Sequence, residues 1–289
     1  MKGYAVNRIS FLRELMLRID EGWRVLRRER RNLIISLLFP VIAAAVTVWI
    51  AGENMFVNCE STKSACFILV CAAIWGGLFN SIQTVVKERK MIKRDYVSGA
   101  MRIGCYTASR AFLQLLLCAF QAAILCMSFY GVKWAYENEL PEMGLIFDDV
   151  MLEYYITVFL VMYAADALGL MISCFVRSEQ LASQLSPYIL IVQLLFSGVL
   201  FAMEGAAQSV SALMLSRWGM EALGSISNLN ELPLRLQEEF PYIPHEADEA
   251  FAYTAEHLWQ VWLILLVFVI VPLVAGNILL HGVKKDSRG

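Results

Sequence analysis

Asp166, in the stretch YAADALGL, is the one acid set well inside a long apolar run of this sequence. A carboxyl at such a position is costly to bury and could relay protons. It shares a helical stripe with Met162, Gly169 and Ser173, where close helix packing is expected, so structural pairing or a neutral packing role is expected ahead of a relay. The other reactive residues do not converge. His245, His257 and His281 fall in an outer segment, at the start of the last apolar run and at its far end, too scattered to build one site. The seven cysteines contain no CxxC pair and mostly sit in apolar runs, the pattern of buried thiols rather than of a disulfide framework or metal site. There is no GxxxxGK[ST] phosphate loop, no GxSxG elbow and no HExxH. These residues predict no catalytic set, no metal site and no nucleotide hydrolysis by this chain.

The densest charge lies at 87–110, KERKMIKRDYVSGAMRIGCYTASR, between two apolar runs. Lys87, Arg89, Lys90, Lys93, Arg94, Arg102 and Arg110 face only two acids, Glu88 and Asp95. A membrane protein keeps such a segment on the cytoplasmic side. It is too long for a tight turn and reads as a short amphipathic helix, with Met91, Ile92, Tyr96, Val97 and Met101 available for one face.

The elements around these residues follow from composition. With 58% hydrophobic residues, mean hydropathy +0.58 and charge confined to blocks, the chain is far from a soluble average and reads as an all-α integral membrane protein. Six runs approach the roughly 20 residues a span needs, near 33–51, 65–86, 110–132, 150–176, 184–204 and 257–281. With both termini cytoplasmic, the inner segments would hold 20 of the 24 Lys/Arg, leaving Lys63, Lys133, Arg217 and Arg235 outside. The net charge of −2 is segregated by side and implies no nucleic-acid partner. No cleavable signal peptide is evident before the first run.

Residues 10–30 put Phe11, Leu15, Ile19, Trp23 and Leu26 on one stripe, opposite Arg and Glu. That pattern predicts an amphipathic helix lying on the lipid bilayer within a connecting segment, 1–32. Spans 1–5 would occupy 33–204, an outer re-entrant and cap segment 205–256, and span 6 with a cytoplasmic tail 257–289. Glu137, Glu139, Glu142, Asp148 and Asp149 form an acidic outer loop without metal-ligand spacing. Span 2 carries Gly76, Asn80, Gln83 and Lys87 on one face. Span 5 carries Ser186, Gln193 and Ser197, with Pro187, Tyr188, Ile191, Leu195 and Gly198 nearby. Such stripes either hold helices together or line a path for a mostly apolar solute with a polar tail, and periodicity alone favours the first.

Several of these residues together resemble a known family. Glu88-Arg89, Arg94-Asp95-Tyr96, Ser98-Gly99, Tyr106 and Ser109-Arg110 resemble the first cytoplasmic loop of G-subfamily-like ABC transporter permeases of the type-2 export superfamily. Residues 167–201 and 216–226 agree in the same order, so the resemblance runs along the whole chain. Asp95 stands where the family usually has Glu, and the last outer loop lacks the cysteines of eukaryotic members. The resemblance implies a permease subunit of an ATP-driven exporter in the inner (plasma) membrane, paired with a second copy or a paralogue. It implies a cytoplasmic coupling helix at about 90–103 that meets an ABC ATPase through Glu88, Arg94, Asp95 and Tyr96. No nucleotide-binding domain precedes residue 1, so the ATPase is expected on a separate chain, or this is the membrane domain of a longer protein. ATP and Mg would be held by that ATPase, with no cofactor in this chain. A substrate pathway would involve Gly76, Asn80, Gln83, Ile191 and Leu195, closed by a valve at Val199 and Leu200. The other reading is a secondary transporter or channel using Asp166, but the sequence shows one buried acid and no inverted repeat.

Overall fold

The computed structural model describes residues 10–51, 54–136, 141, 143–201, 203–232 and 248–285. Among them all regular structure is helical: α1 (Phe11–Arg28), α2 (Arg30–Ala51), α3 (Cys59–Ser81), α4 (Thr84–Val97) and α5 (Ile103–Tyr136) come first. They are followed by α6 (Val150–Phe175), α7 (Glu179–Leu195), α8 (Ala206–Ser211), α9 (Leu215–Ile226) and α10 (Ala255–His281). Five stretches are long and apolar enough to cross a membrane: α2, α3 with α4, α5, α6 and α10. The protein is an all-α integral membrane protein. His245, Glu137, Glu139, Glu142 and the Pro-rich part of the expected outer cap lie outside the described residues.

Capping fixes where several helices begin. Ser10 accepts the Arg13 amide (3.4 Å) at the start of α1, which carries Glu14 in its first turn and Arg27 and Arg28 in its last, as the helix dipole favours. Asn58, Asp149, Ser178 and Thr254 cap α3, α6, α7 and α10 in the same manner. Of the expected apolar stripe on α1, Phe11 and Trp23 are exposed while Leu15, Ile19 and Leu26 are partly buried; Leu12, Met16 and Leu17 are exposed as well, an apolar surface suited to the membrane interface.

The centre is α6, buried along most of its length and packed against α3, α5 and α10. Small residues let the backbones meet. A Cβ added to Gly77 would fall on the Met162 carbonyl, and one on Gly169 would lie 2.8 Å from the Leu78 carbonyl. The helical pair expected between 205 and 226 is present as α8 and α9. Gly219 of α9 is wedged between Val161 and Val70, and α9 is almost wholly buried.

The second and third runs, the fifth run and the coupling helix differ from expectation. The second run extends beyond 65–86, and α5 begins at Ile103 rather than near 110. At about 1.5 Å per residue the 34 residues of α5 rise about 51 Å, well past a hydrocarbon core of about 30 Å. The run at 184–204 is helical only as α7, whose 17 residues end at a turn where Gly198 takes φ 78°. The coupling helix is described next.

Candidate functional site

The expected free-standing helix at 90–103 is a helix and an elbow. Residues 90–97 complete α4, Ser98–Arg102 turn, and α5 starts at Ile103. The reason is local. Gly99 sits at φ 75°, its amide bonds the Tyr96 carbonyl (3.1 Å), and the Ala100 amide reaches back to Asp95 (2.9 Å). That is a left-handed glycine stop satisfying the last carbonyls of α4. The inner side of the elbow is apolar. Ile92 and Met101 are buried with Val85, Ile103, Leu170 and Leu280 in a small core at this end of the molecule. Val97, expected on that face, is exposed (61%), and with Ser98–Ala100 it forms the tip.

Glu88 is held in a clasp between α4 and α5. Tyr106 Oη donates to its Oε2 (2.6 Å), and Arg110 Nη2 pairs with its Oε1. Helix α1 closes over the elbow. Glu14, buried, accepts the Arg102 amide through Oε1 (2.6 Å), at the N-terminus of α5 where a negative charge is favoured. Arg102 Nε lies 3.5 Å from the other Glu14 oxygen. Asp95 lies 3.6 Å from Arg18 of α1 and 3.2 Å from Arg94, whose side chain is 77% exposed. Tyr96 sets its ring edge-on to His281 of α10, centroids 6.1 Å apart.

The break between α3 and α4 is tied to α6. Ser81 donates to the carbonyl of Asp166 (2.8 Å) and to its side chain. The Ser173 hydroxyl accepts the Val85 and Val86 amides (3.0 and 3.2 Å), which the helix break would leave free. Arg89 donates to the Cys174 and Val176 carbonyls at the end of α6. Asp166 is fully buried, and its Oδ2 has no hydrogen-bond partner among the described residues. It does not line the large cavity.

That cavity, about 700 Å³, lies between α1, α2, α3 and α5 and reaches Lys87 and Glu88 at the elbow. Gly76, Asn80 and Gln83 all line it. Asn80 accepts from Ser36 (2.8 Å), donates to Gln121 (2.6 Å) and offers its carbonyl to Gln114 (3.0 Å), so its amide joins three helices. Gln83 donates to Ser183 of α7 (2.6 Å). Ile191 and Leu195 lie elsewhere, exposed on the outer face of α7. The polar stripe of α7 points inward: Gln193 accepts the Ser216 amide (3.0 Å) and hydroxyl, capping α9. Val199 packs partly against the main core, whereas Leu200 is exposed. Beyond the long helices, burial pushes the Glu221 carboxyl above its usual range, while Arg217 at 2.7 Å pulls it down.

The family model for the ABC-2 type transporter matches residues 14–227, from the first turn of α1 to the end of α9. The chain belongs to the ABC-2 type transporter family. No curated protein matches the chain significantly. As an ABC-2 membrane domain it is a transport permease and not itself an ATPase, and it crosses the membrane several times.

Within this ABC-2 permease the sequence reading placed the elbow residues Glu88, Arg94, Asp95 and Tyr96, and the structure adds what they touch. Tyr106 and Arg110 carried part of the family resemblance, and both meet Glu88. The reading missed Glu14 and Ser173. Glu14 had no signal that set it apart from Asp20 and Glu21 on the same helix. Ser173 had none beyond its stripe with Asp166.

Proposed function

We propose that this ABC-2 permease is one half of an ATP-driven exporter, worked by a cassette ATPase that docks on the α4–α5 elbow. The observation that carries the reading is the Glu88–Tyr106–Arg110 clasp. It makes the exposed elbow and the long span α5 one body, while Glu14 and Arg18 bind α1 to the same body. A push on Val97–Ala100 therefore reaches α5 directly and reaches α3 through the break held by Ser81 and Ser173. ATP and Mg belong to the partner ATPase, supplied on a separate chain or fused in a longer protein. The elbow and both chain ends face the cytoplasm of the inner (plasma) membrane, in keeping with the basic residues gathered there.

Two permease halves, identical or paralogous, enclose the path. Helices α3 and α7 contribute Gly76, Asn80, Gln83, Ile191 and Leu195, and α7 with the bent segment after it serves as a sixth crossing. Val199 and Leu200 form the outer valve, an apolar ring that excludes water when narrow. Docking is tested by reconstituting the permease with its ATPase and replacing Arg94→Glu or Tyr96→Ala. Arg94 is exposed and Tyr96 only borders the small core, so insertion should persist while ATP turnover no longer drives transport. Unchanged coupling in both variants, with cross-links to the ATPase found away from 94–100, would refute the reading.

A further inference from the structure

The cavity between α1, α2, α3 and α5 is graded in chemistry along its length. Its deep part is walled by Phe39, Trp75 and Phe79, followed by the amides of Asn80 and Gln121, whose hydrogen bonds are made to one another and to Ser36. Its mouth carries Lys87 and Glu29. The Lys87 ammonium makes no hydrogen bond or ion pair among the described residues, whereas its backbone amide is bonded to the Gln83 carbonyl. Glu29 receives Asn32 on Oε2 (2.9 Å) and has its other oxygen open. Glu88 and Arg110, also at the mouth, neutralise each other. One cation and one acid are thus left for a ligand, with no net charge between them.

Dimensions narrow the choice further. Twelve residues separate Trp75 from Lys87 across the break between α3 and α4, at most about 18 Å along the helix axis. One leaflet supplies half of a hydrocarbon core of about 30 Å, or about 15 Å. Trp75 and Phe79 are each nearly half exposed, so the wall opens sideways towards the bilayer. A soluble zwitterion would leave the aromatic wall wetted, and a purely anionic lipid would set its charge beside Glu29.

We propose that this cavity binds one phospholipid of the phosphoethanolamine class from the elbow-side leaflet, its phosphate on Lys87, its ammonium on Glu29 and an acyl chain along Phe79 and Trp75. The proposal names a ligand class for Gly76, Asn80 and Gln83, and rests on the pathway reading where it makes that lipid the cargo.

The test uses the full chain in bilayers of equal phosphoethanolamine and phosphoglycerol lipid, with retained lipid read by native mass spectrometry after mild delipidation. Wild type should keep one phosphoethanolamine lipid per chain in preference to phosphoglycerol lipid. Lys87→Gln should lower retention about tenfold, and Glu29→Gln should keep lipid but lose the preference. Gly76→Val narrows the slot, since a Cβ there already lies 3.5 Å from Met162 Cε and 3.9 Å from the Phe39 ring, both ordinary contacts, and should lose both lipids. A thermal melt confirms that each variant folds. Equal retention of both headgroups by wild type, retention unaltered in Lys87→Gln, or a lipid-free dimer with the cavity filled by the second copy would each overturn the proposal. Transport separates the two readings. If Gly76→Val stops transport although wild type shows no lipid preference, the pathway stands and the lipid site falls. If Lys87→Gln loses the lipid while transport continues, the lipid site stands and the pathway reading falls.

Discussion

Glu88 concentrates the energetics of the elbow in one side chain. Its carboxylate is one-fifth exposed and receives both a phenol and a guanidinium. Hydrogen bonds to a charged acceptor are worth about 1.5–3 kcal/mol, whereas stripping the cation from a buried pair costs about 3–5 kcal/mol. Tyr106→Phe should therefore lower the thermal midpoint modestly, and Arg110→Met severely, because Glu88 would lose the guanidinium that pairs with it in a mostly enclosed site. Arg110→Lys should recover only part of the loss, since a point charge cannot copy a fork that also lies over the Tyr106 ring at 5.4 Å. A double-mutant cycle between Glu88→Gln and Tyr106→Phe should show coupling of about 1 kcal/mol. Strict additivity would mean that the clasp does not act as a unit. Glu14 invites a parallel test. Glu14→Gln keeps an acceptor for the Arg102 amide but removes the charge from the α5 N-terminus, at a cost of about 0.3–1 kcal/mol. The result should be weakened coupling with little loss of fold.

At the scale of elements, glycines decide which helices touch and which stop. Gly77→Ala places a methyl on the Met162 backbone, so α3 must move away from α6, and overpacking of this kind costs about 1–3 kcal/mol. Gly104→Ala, where a Cβ meets nothing within 4 Å, is the control and should be neutral or slightly stabilising. A melt of the two purified variants checks the contrast. Gly99→Val should cost about 1–2 kcal/mol through its left-handed backbone and loosen the elbow. These elements also show how far the sequence was legible. The α2, α6 and α10 spans lie within a few residues of their apolar runs, because burial in lipid demands a continuous helix. The end of α4 was written in Ser98-Gly99, but helical periodicity ran through that signal to 103. Periodicity also set Gly76, Asn80 and Gln83 on one face, and they share one cavity. It could not say which helices stand opposite, since the partners of Asn80 lie more than 30 residues away on α2 and α5. Ser186, Gln193 and Ser197 are all buried, but only Gln193 holds α9, while the two serines bond carbonyls three residues back in their own segment.

For the whole molecule the open question is what covers α7. Its 17 residues rise about 26 Å, short of a core of about 30 Å, and a helix too short for the bilayer gains from association with a neighbour. Tyr188, Ile191 and Leu195 are exposed along one side of it. If the permease works as the proposed pair of halves, this exposed side is where the second half should sit, and it changes where the dimer must be probed. Ser197 is 3% exposed and its hydroxyl is turned to the Leu194 carbonyl, while Asn80 is enclosed by Ser36 and Gln121. Cysteines at those two positions should not bridge two copies. Ile191→Cys and Leu195→Cys should bridge them under mild oxidation, because both side chains point away from their own protomer. The native background is quiet enough for the experiment: five of the seven thiols are buried, leaving Cys59 and Cys71 half-buried as controls to be replaced by Ser. Val274→Cys on α10 is exposed to a similar degree and supplies the lipid-facing comparison. Bridging at 191 and 195 but not at 274 would place the dimer interface on α7. Equal and slow reaction at all three would make α7 a lipid-facing helix and move the interface to another surface.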